Sequence, residues 1–333
     1  MNLDIEDAEA LLGYLRRAGR VGESECPTIR VLPGGVSNRT VWVERANGEA
    51  WVLKQALAKL RVKVDWFSDP NRIQREALGL RWLEKLAPPG TITPLVFEDP
   101  AQHLLAMLAV PRPHENWKSM LLAGRIESAH VRQFGELLGT IHRCAGQQRA
   151  EIAPVFDDRS YFESLRLEPY YAYTATRVPA AADFLHELIE ETRRRRETLV
   201  HGDYSPKNIL IHNGRLVLLD HEVIHWGEPA FDLGFSLTHF LSKAHHLPAR
   251  RAAFADAARL YWETYRETAG ATDVEPRAVR HTLGCLLGRV AGRSPLEYLN
   301  DAERARQRDA VVKLMKAPPL TVARLVEDFL SCL

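Results

Sequence analysis

The chain has 333 residues, of which 46% are hydrophobic and 26% charged, with a formal net charge of +1. That balance supplies a proper core and excludes a disordered polyelectrolyte, and it offers no global field for nucleic acid or a membrane surface. No apolar run approaches the roughly 20 residues of a membrane span, and the opening MNLDIEDAEALL has no basic stretch leading into an apolar one.

Leu3, Leu11, Leu12 and Leu15 recur at about helical spacing and predict a leading helix within residues 1–25. From Ile29 the pattern becomes strand-like: IRVL, TVWVE and AWVLKQA, with a glycine-containing connection from Pro33 to Asn38 and a turn at Asn47-Gly48. Residues 70–86 predict an amphipathic helix with Ile73, Ala77, Leu80 and Leu83 on one face. Two strand-like pieces follow, near 93–97 and 103–108, before Pro111-Arg112-Pro113 breaks the pattern. The boundary between a β-rich lobe (26–110) and a helical lobe (111–333) is expected there. Helices are predicted over 118–124, 128–145, 159–172 and 180–196. They resume from 231 with breaks at Pro248, Gly270, Pro276, Pro295 and Pro318-Pro319. The expected class is α+β, with two lobes. Four scattered cysteines, Cys26, Cys144, Cys285 and Cys332, show no metal-ligand spacing and lead to the expectation of a reducing, cytoplasmic setting.

The helical lobe is interrupted by LVHGDYSPKNILIHNGRLVLLDHEVIHWGEPAFD, residues 199–232. Asn213-Gly214 between two apolar runs is a strong hairpin signal. Asp203 precedes this hairpin, Asn208 stands at its entrance and Asp220 at its exit, with Glu222 two residues on. An aspartate, asparagine and aspartate at strand ends in this order suit metal-assisted phosphoryl transfer. One carboxylate orients a hydroxyl, and an amide and a second carboxylate hold Mg²⁺. His201 is read as structural, its ring packed under the loop.

HGDYSPKN followed by LLDHE and GEPAFDLGF resembles the aminoglycoside phosphotransferase and choline kinase superfamily, small-molecule kinases of the protein-kinase-like fold. The resemblance implies Asp203 as catalytic base, Asn208 and Asp220 as Mg²⁺ ligands, and Asp232 as a prop beneath the catalytic loop. Asp232 follows Asp220 by only twelve positions, too few for a long activation segment. Gly202 occupies the place where protein kinases carry an arginine that pairs with such a segment.

A Mg²⁺ site in one lobe calls for ATP in the other. Gly34, Gly35, Ser37 and Asn38 lie between two strands, where backbone N–H groups can cover phosphates. Lys54, on the third strand, is the candidate to neutralise phosphates and pair with Glu76, with Glu84 as a second choice. As a lysine at a strand end, its loss is expected to change stability by no more than ~0.5 kcal/mol. Adenine is expected against the connection between lobes, near Leu108 and Val110. Arg61 is a weaker candidate for reaching phosphate. The stretch after Lys54 and the Asp220-His221-Glu222 spacing resemble methylthioribose kinases, which implies a role for Glu222 at the acceptor hydroxyl or the metal. Gly288-Arg289-Val290-Ala291-Gly292-Arg293 lacks the adjacent arginine pair expected there. Arg289 and Arg293 instead stand four apart, to bind an anionic or sugar group or to pair with Glu297. From Glu222 onward the chain has 15 Lys plus Arg and 14 Asp plus Glu, which offers no acidic surplus for a polycationic acceptor. The expected partner is a small-molecule alcohol, with neither nucleic acid nor membrane, in a monomer or homodimer. The alternatives are a methylthioribose-type sugar kinase and a nucleotide-binding scaffold without turnover.

Overall fold

The computed structural model describes residues 3–33, 35–61, 66–270 and 273–333. Alternation along its strands organises the small lobe. Strands β1 (Thr28–Val31), β2 (Asn38–Glu44), β3 (Ala50–Ala56), β4 (Leu95–Asp99) and β5 (Leu104–Leu108) make one antiparallel sheet in the order β1-β2-β3-β5-β4. Trp51 and Leu53 face outward onto Leu11 and Leu15 of helix α1 (Ala8–Arg17). The Asp7 side chain caps that helix by accepting from the N–H groups of Glu9 and Ala10. Gln55 fastens the leading segment to β3, its Nε2 donating to the Leu3 carbonyl at 2.8 Å. Val52 and Lys54, one residue out of phase, face the cleft instead. Helix α2 (Arg72–Leu86) buries Ile73, Ala77, Leu80 and Leu83 in one core with Ala56, Leu105 and Met107, the face expected of it.

The chain crosses at 109–114 to β6 (Glu115–Asn116), which pairs with β8 (Ile209–His212), itself paired with β9 (Arg215–Leu218). Asn213 and Gly214, with φ of 49° and 73°, close the β8–β9 hairpin in the left-handed conformation that a two-residue turn requires. A second pair joins β7 (Thr198–Val200) to β10 (His225–Gly227).

Helices α3 (Trp117–Leu122), α4 (Ser128–Gln147), α5 (Arg149–Val155) and α6 (Ser160–Phe162) precede a π-helical segment, Glu163–Ala172. This runs into α7 (Tyr173–Arg177), followed by α8 (Ala182–Arg194), α9 (Pro229–His246), α10 (Arg251–Ala269), α11 (Glu275–Ala291), α12 (Asp301–Met315) and α13 (Val322–Ser331). The predicted helix over 159–172 is therefore mostly a wider π form, a feature frequent at functional sites. Every residue of α9 from Pro229 to His245 is buried, so this helix is the axis of the lobe. Pro248, Gly270, Pro295 and Pro318-Pro319 fall at or between helix ends as expected. Pro276 does not break a helix. It sits in the first turn of α11, where its missing N–H would have no partner anyway.

Candidate active site

The loop after β7 is held from below. The N–H groups of His201 and Gly202 donate to Asp232 Oδ2 and Oδ1 at 2.7 and 2.8 Å, from the first turn of α9. Burial alone would raise the Asp232 carboxyl, but the His142 ring, 3.3 Å away, outweighs it and holds the group below its usual range. His201 Nδ1 accepts from the Asp203 N–H at 3.2 Å, which leaves its proton on Nε2, 3.1 Å from His221 Nδ1. Burial pushes both imidazoles down, so both are neutral and structural. Gly202 has φ of 77°, and a Cβ there would lie 2.9 Å from Val223 Cγ2 and 3.1 Å from the Val223 carbonyl oxygen. Besides having no activation segment to meet, an arginine at this position has no room.

Asp203 rises from this platform, only 9% exposed. Its Oδ2 takes Arg166 Nη2 at 3.0 Å and Asn208 Nδ2 at 2.7 Å, which leaves Oδ1 as the oxygen free to meet a ligand. Arg166 also donates from Nε to the Gly202 carbonyl at 2.8 Å. Asn208 Nδ2 reaches the Asp203 carbonyl at 3.0 Å as well, so the amide nitrogen is turned to the loop and Oδ1 is free to coordinate.

The small lobe contributes a second cluster. Lys54 Nζ lies 2.6 Å from Glu76 Oε1 and 2.7 Å from Asp220 Oδ1, so one ammonium joins β3, α2 and the hairpin exit. Glu76 is fully buried, and burial pushes its carboxyl up to about 7 despite Lys54. Burial would raise Asp220 too, but Lys54 and then Lys207 outweigh it and hold Asp220 well below the usual carboxylate range. The Lys54 ammonium is desolvated, yet Asp220 and Glu76 together raise it above its ordinary value. Asp220 sits at φ of 69°, a strained conformation for a residue other than glycine, and the place in the hairpin where its carboxylate meets Lys54. Glu222 Oε2 accepts from Arg72 Nε at 3.1 Å and from Asn38 Nδ2 at 3.3 Å. Arg72, fully buried, also donates to the carbonyls of Leu57, at 2.9 Å, and Ser37. Glu222 thus closes a bridge from the hairpin exit through α2 to the β1–β2 connection.

These groups meet in one cavity of about 640 Å³ between the lobes. Gly35, Ser37 and Asn38 line its roof, with Lys54, Leu108 and Val110; Asp203, Asn208, Asp220 and Glu222 line its floor. Glu76 lies behind Lys54, outside the lining. Gly34 lies outside the described residues. Arg61 is bound bidentately by Glu6 at the surface, at 2.8 and 2.6 Å, and has no place in the cavity. Arg293 lies beyond the end of α11 and pairs with Glu168 at 2.8 Å, while Glu297 pairs with Lys118, so neither expectation for Arg293 holds. Arg193, Arg195 and Arg196 are tied to Glu163, Glu190, Glu197, Asp157 and the buried Glu228.

Three cations escaped the sequence reading: Arg72, Arg166 and Lys207. Arg72 and Arg166 read as ordinary polar positions of helices, and nothing local marks them as buried. Lys207 lay within the motif, beside Asn208, and could have been singled out. Among the described residues no group of three or more His, Cys, Asp or Glu side chains forms a metal cage. Asp220 Oδ2 and Asn208 Oδ1 are nevertheless hard oxygen donors on one wall. That set fits Mg²⁺, which keeps several waters and takes one or two protein ligands beside phosphate oxygens.

The family described as the phosphotransferase enzyme family matches residues 28–270. No curated protein matches the chain significantly in sequence. Solved structures do. The apoenzyme of macrolide 2'-phosphotransferase MphH from Brachybacterium faecium is 18% identical, with 93% of this chain and 99% of that one covered at a TM-score of 0.53. Amicoumacin kinase hAmiN, in complex with AMP-PNP, Ca²⁺ and Ami, is 16% identical over 96% and 98%, with a TM-score of 0.62. A choline/ethanolamine kinase family protein from Mesorhizobium loti is 16% identical over 97% and 98%, with a TM-score of 0.59. The chain belongs to the phosphotransferase enzyme family, and it has the two-lobed protein-kinase-like fold of these solved structures.

Proposed function

From that membership, we propose that the protein transfers the γ-phosphoryl group of ATP to a hydroxyl of a small molecule, with Asp203 as the base and Mg²⁺ as the metal. The observation that carries this reading is the meeting, in one cavity, of the Lys54–Glu76–Asp220 cluster with Asp203 on its Arg166–Asn208 support. One group of residues suits phosphates, the other a hydroxyl. The nucleotide lies under the β1–β2 connection, with its purine against the strand end at Leu108 and Val110. Lys54 lies against the phosphates, and Glu76 fixes the ammonium so that it costs little to reorganise. Asp220 and Asn208 hold Mg²⁺, which neutralises phosphate charge. A nucleotide analogue and a divalent cation bound to the amicoumacin kinase support nucleotide and metal use by this fold.

Asp203 Oδ1 accepts the hydrogen bond of the acceptor hydroxyl, in line with the γ-phosphorus. The new O–P bond forms as the bond to the β-phosphate oxygen breaks and ADP leaves, and the hydroxyl proton passes to Asp203. Arg166 and Asn208 hold Oδ2, so the carboxylate cannot swing away. Glu222 braces the hairpin exit against the phosphate-covering connection through Arg72. The test is ADP release from ATP across a panel of sugars, amino alcohols and hydroxy acids, with and without Mg²⁺. Acceptor-dependent, metal-dependent release is expected; nucleotide binding without turnover on any alcohol would favour the scaffold reading.

A further inference from the structure

Beyond the catalytic floor, the cavity extends into the helical lobe past the rings of Tyr170 and Phe235 toward Lys118, His239, Arg289 and Glu297. Positive charge dominates this end. Glu297 is its one carboxylate, and Lys118 already holds it. Arg289 has no ion pair among the described residues. Its Nη1 donates to the Ser294 carbonyl at 2.5 Å and to the Tyr170 hydroxyl and Ser294 Oγ, each at 2.9 Å. Its Nε is buried with no partner, and its Nη2 makes no hydrogen bond among the described residues. Neither ring nitrogen of His239, a residue only 3% exposed, is hydrogen-bonded either, and its Nδ1 is fully buried. Behind it lies Lys243, fully buried, with Nζ donating to the His239 carbonyl at 3.3 Å and lying 5.4 Å from the centroid of the Tyr298 ring.

Arg289 Nη2 is thus the donor that this wall leaves for a ligand, and a guanidinium held in a cavity with a donor unmet is costly until something meets it. The effect on neighbouring groups has the same sign. Burial, then the charges of Lys118 and Arg289, push the Lys243 ammonium down to about 7. The His239 imidazole is driven well below its ordinary range by burial and by four surrounding cations, Lys243, Arg289, Lys118 and Lys207.

We propose that the acceptor alcohol carries an oxyanion, a carboxylate or a phosphate, which docks on Arg289 at this end while its hydroxyl meets Asp203. A guanidinium with free donors suits a carboxylate or phosphate in a way that no neutral or cationic group matches. The two ends of the cavity are linked through one side chain. Arg166, which holds Asp203, and Arg289 lie 5.9 and 5.6 Å from the centroid of the same Tyr170 ring. An acceptor bearing an amine instead would meet Arg289 and Lys118 at this end, with Glu297, already committed to Lys118, to receive it.

The proposal deepens the kinase reading and rests on it for the role of the hydroxyl, so its test reads binding separately from turnover. Four probes built on a four-carbon chain, 4-hydroxybutyrate, 4-hydroxybutyl phosphate, 1,4-butanediol and 4-amino-1-butanol, are titrated calorimetrically into protein saturated with a non-hydrolysable ATP analogue and Mg²⁺. At least one anionic probe is expected to bind roughly 10- to 100-fold more tightly than the diol, the worth of a charge-assisted contact, and the amine most weakly. The first two probes separate carboxylate from phosphate. Arg289→Gln is expected to bring the anionic probes down to the affinity of the diol while nucleotide affinity stays unchanged. Lys118→Gln, which frees Glu297, is expected to weaken them in the same direction should Arg289→Gln fold poorly. Equal affinities, preference for the amine, no binding by any probe, or an anion preference that survives both substitutions would overturn the proposal. Anion-selective binding without ADP release on any alcohol would leave the anion site at Arg289 standing and remove the kinase reading instead.

Discussion

Replacing Lys54 with methionine tests the electrostatic cluster where the two lobes meet. Read as a strand-end lysine, Lys54 is dispensable for stability. In the structure its side chain is only 12% exposed, and it lies between Asp220 and a Glu76 that is completely buried. Methionine keeps the bulk of the stem but leaves Glu76 as an uncompensated buried charge, so the loss should be about 3 kcal/mol, in the range for breaking a buried pair. The pH dependence carries the signature. Burial already raises Glu76 to about 7 with Lys54 present, above its unfolded value of 4.5. The folded state therefore holds this proton more tightly than the unfolded chain, and stability falls as pH rises from 4.5 toward 7. Without Lys54 the folded value climbs further, and the fall continues beyond 7. The gap between variant and wild type should be widest near pH 8 and narrower near pH 6, where Glu76 is protonated in both and the loss of the Lys54–Asp220 pair is what remains. Lys54→Met combined with Glu76→Gln should recover much of the loss. Urea unfolding at the two pH values measures it. A variant as stable as wild type near pH 8, or a gap that does not shrink near pH 6, would refute the buried-pair reasoning.

The remaining predictions concern the loop and the metal. Gly202→Ala forces a Cβ into a left-handed backbone position and against Val223, at 2.9 Å from Cγ2; a cost of about 1–3 kcal/mol is expected in denaturant unfolding, with turnover reduced. Asp232→Asn can accept from only one of the two N–H groups it now serves without turning its own N–H toward the other. The expected loss is roughly 1–3 kcal/mol, and faster amide exchange at His201 and Gly202 would show that the loop is released. Asp220→Ala should abolish the Mg²⁺ dependence of nucleotide binding. If chelation lowers nucleotide affinity as much in this variant as in wild type, the ligand assignment is wrong.

The two lobes, the β8–β9 hairpin and the order Asp203, Asn208, Asp220 were legible because their signals are local. Period-two alternation marks the strands, Asn213-Gly214 can only be a turn of a certain hand, and apolar residues at helical spacing mark α2. The pairing of Lys54 with Glu76 was also legible, since strand and helix follow one another. Arg166 and Arg72 were not. Each is an arginine on a helical segment whose burial depends on a loop 36 or 150 residues away. The same holds for Arg293, whose partner Glu168 lies 125 residues upstream. The π form of Glu163–Ala172 also left no mark that a helical pattern would betray, although Pro169 within it hinted at an irregular ladder. The character of the far cavity wall was hidden for another reason. The lobe as a whole is near neutral, and the positive excess appears only when Lys118, Lys243 and Arg289 are brought together by α3, α9 and α11.

The central claim is that Asp203 accepts a proton from an alcohol while phosphate passes to it. The direct measurement pairs ³¹P NMR of product formation, on an alcohol that the ADP-release panel identifies, with nucleotide titration for wild type and Asp203→Asn. Asparagine preserves the shape of the loop but cannot take the proton, so phosphate-ester formation should fall by roughly 10²- to 10⁴-fold, with nucleotide affinity unchanged. A phosphate ester formed by Asp203→Asn at the wild-type rate would contradict the account.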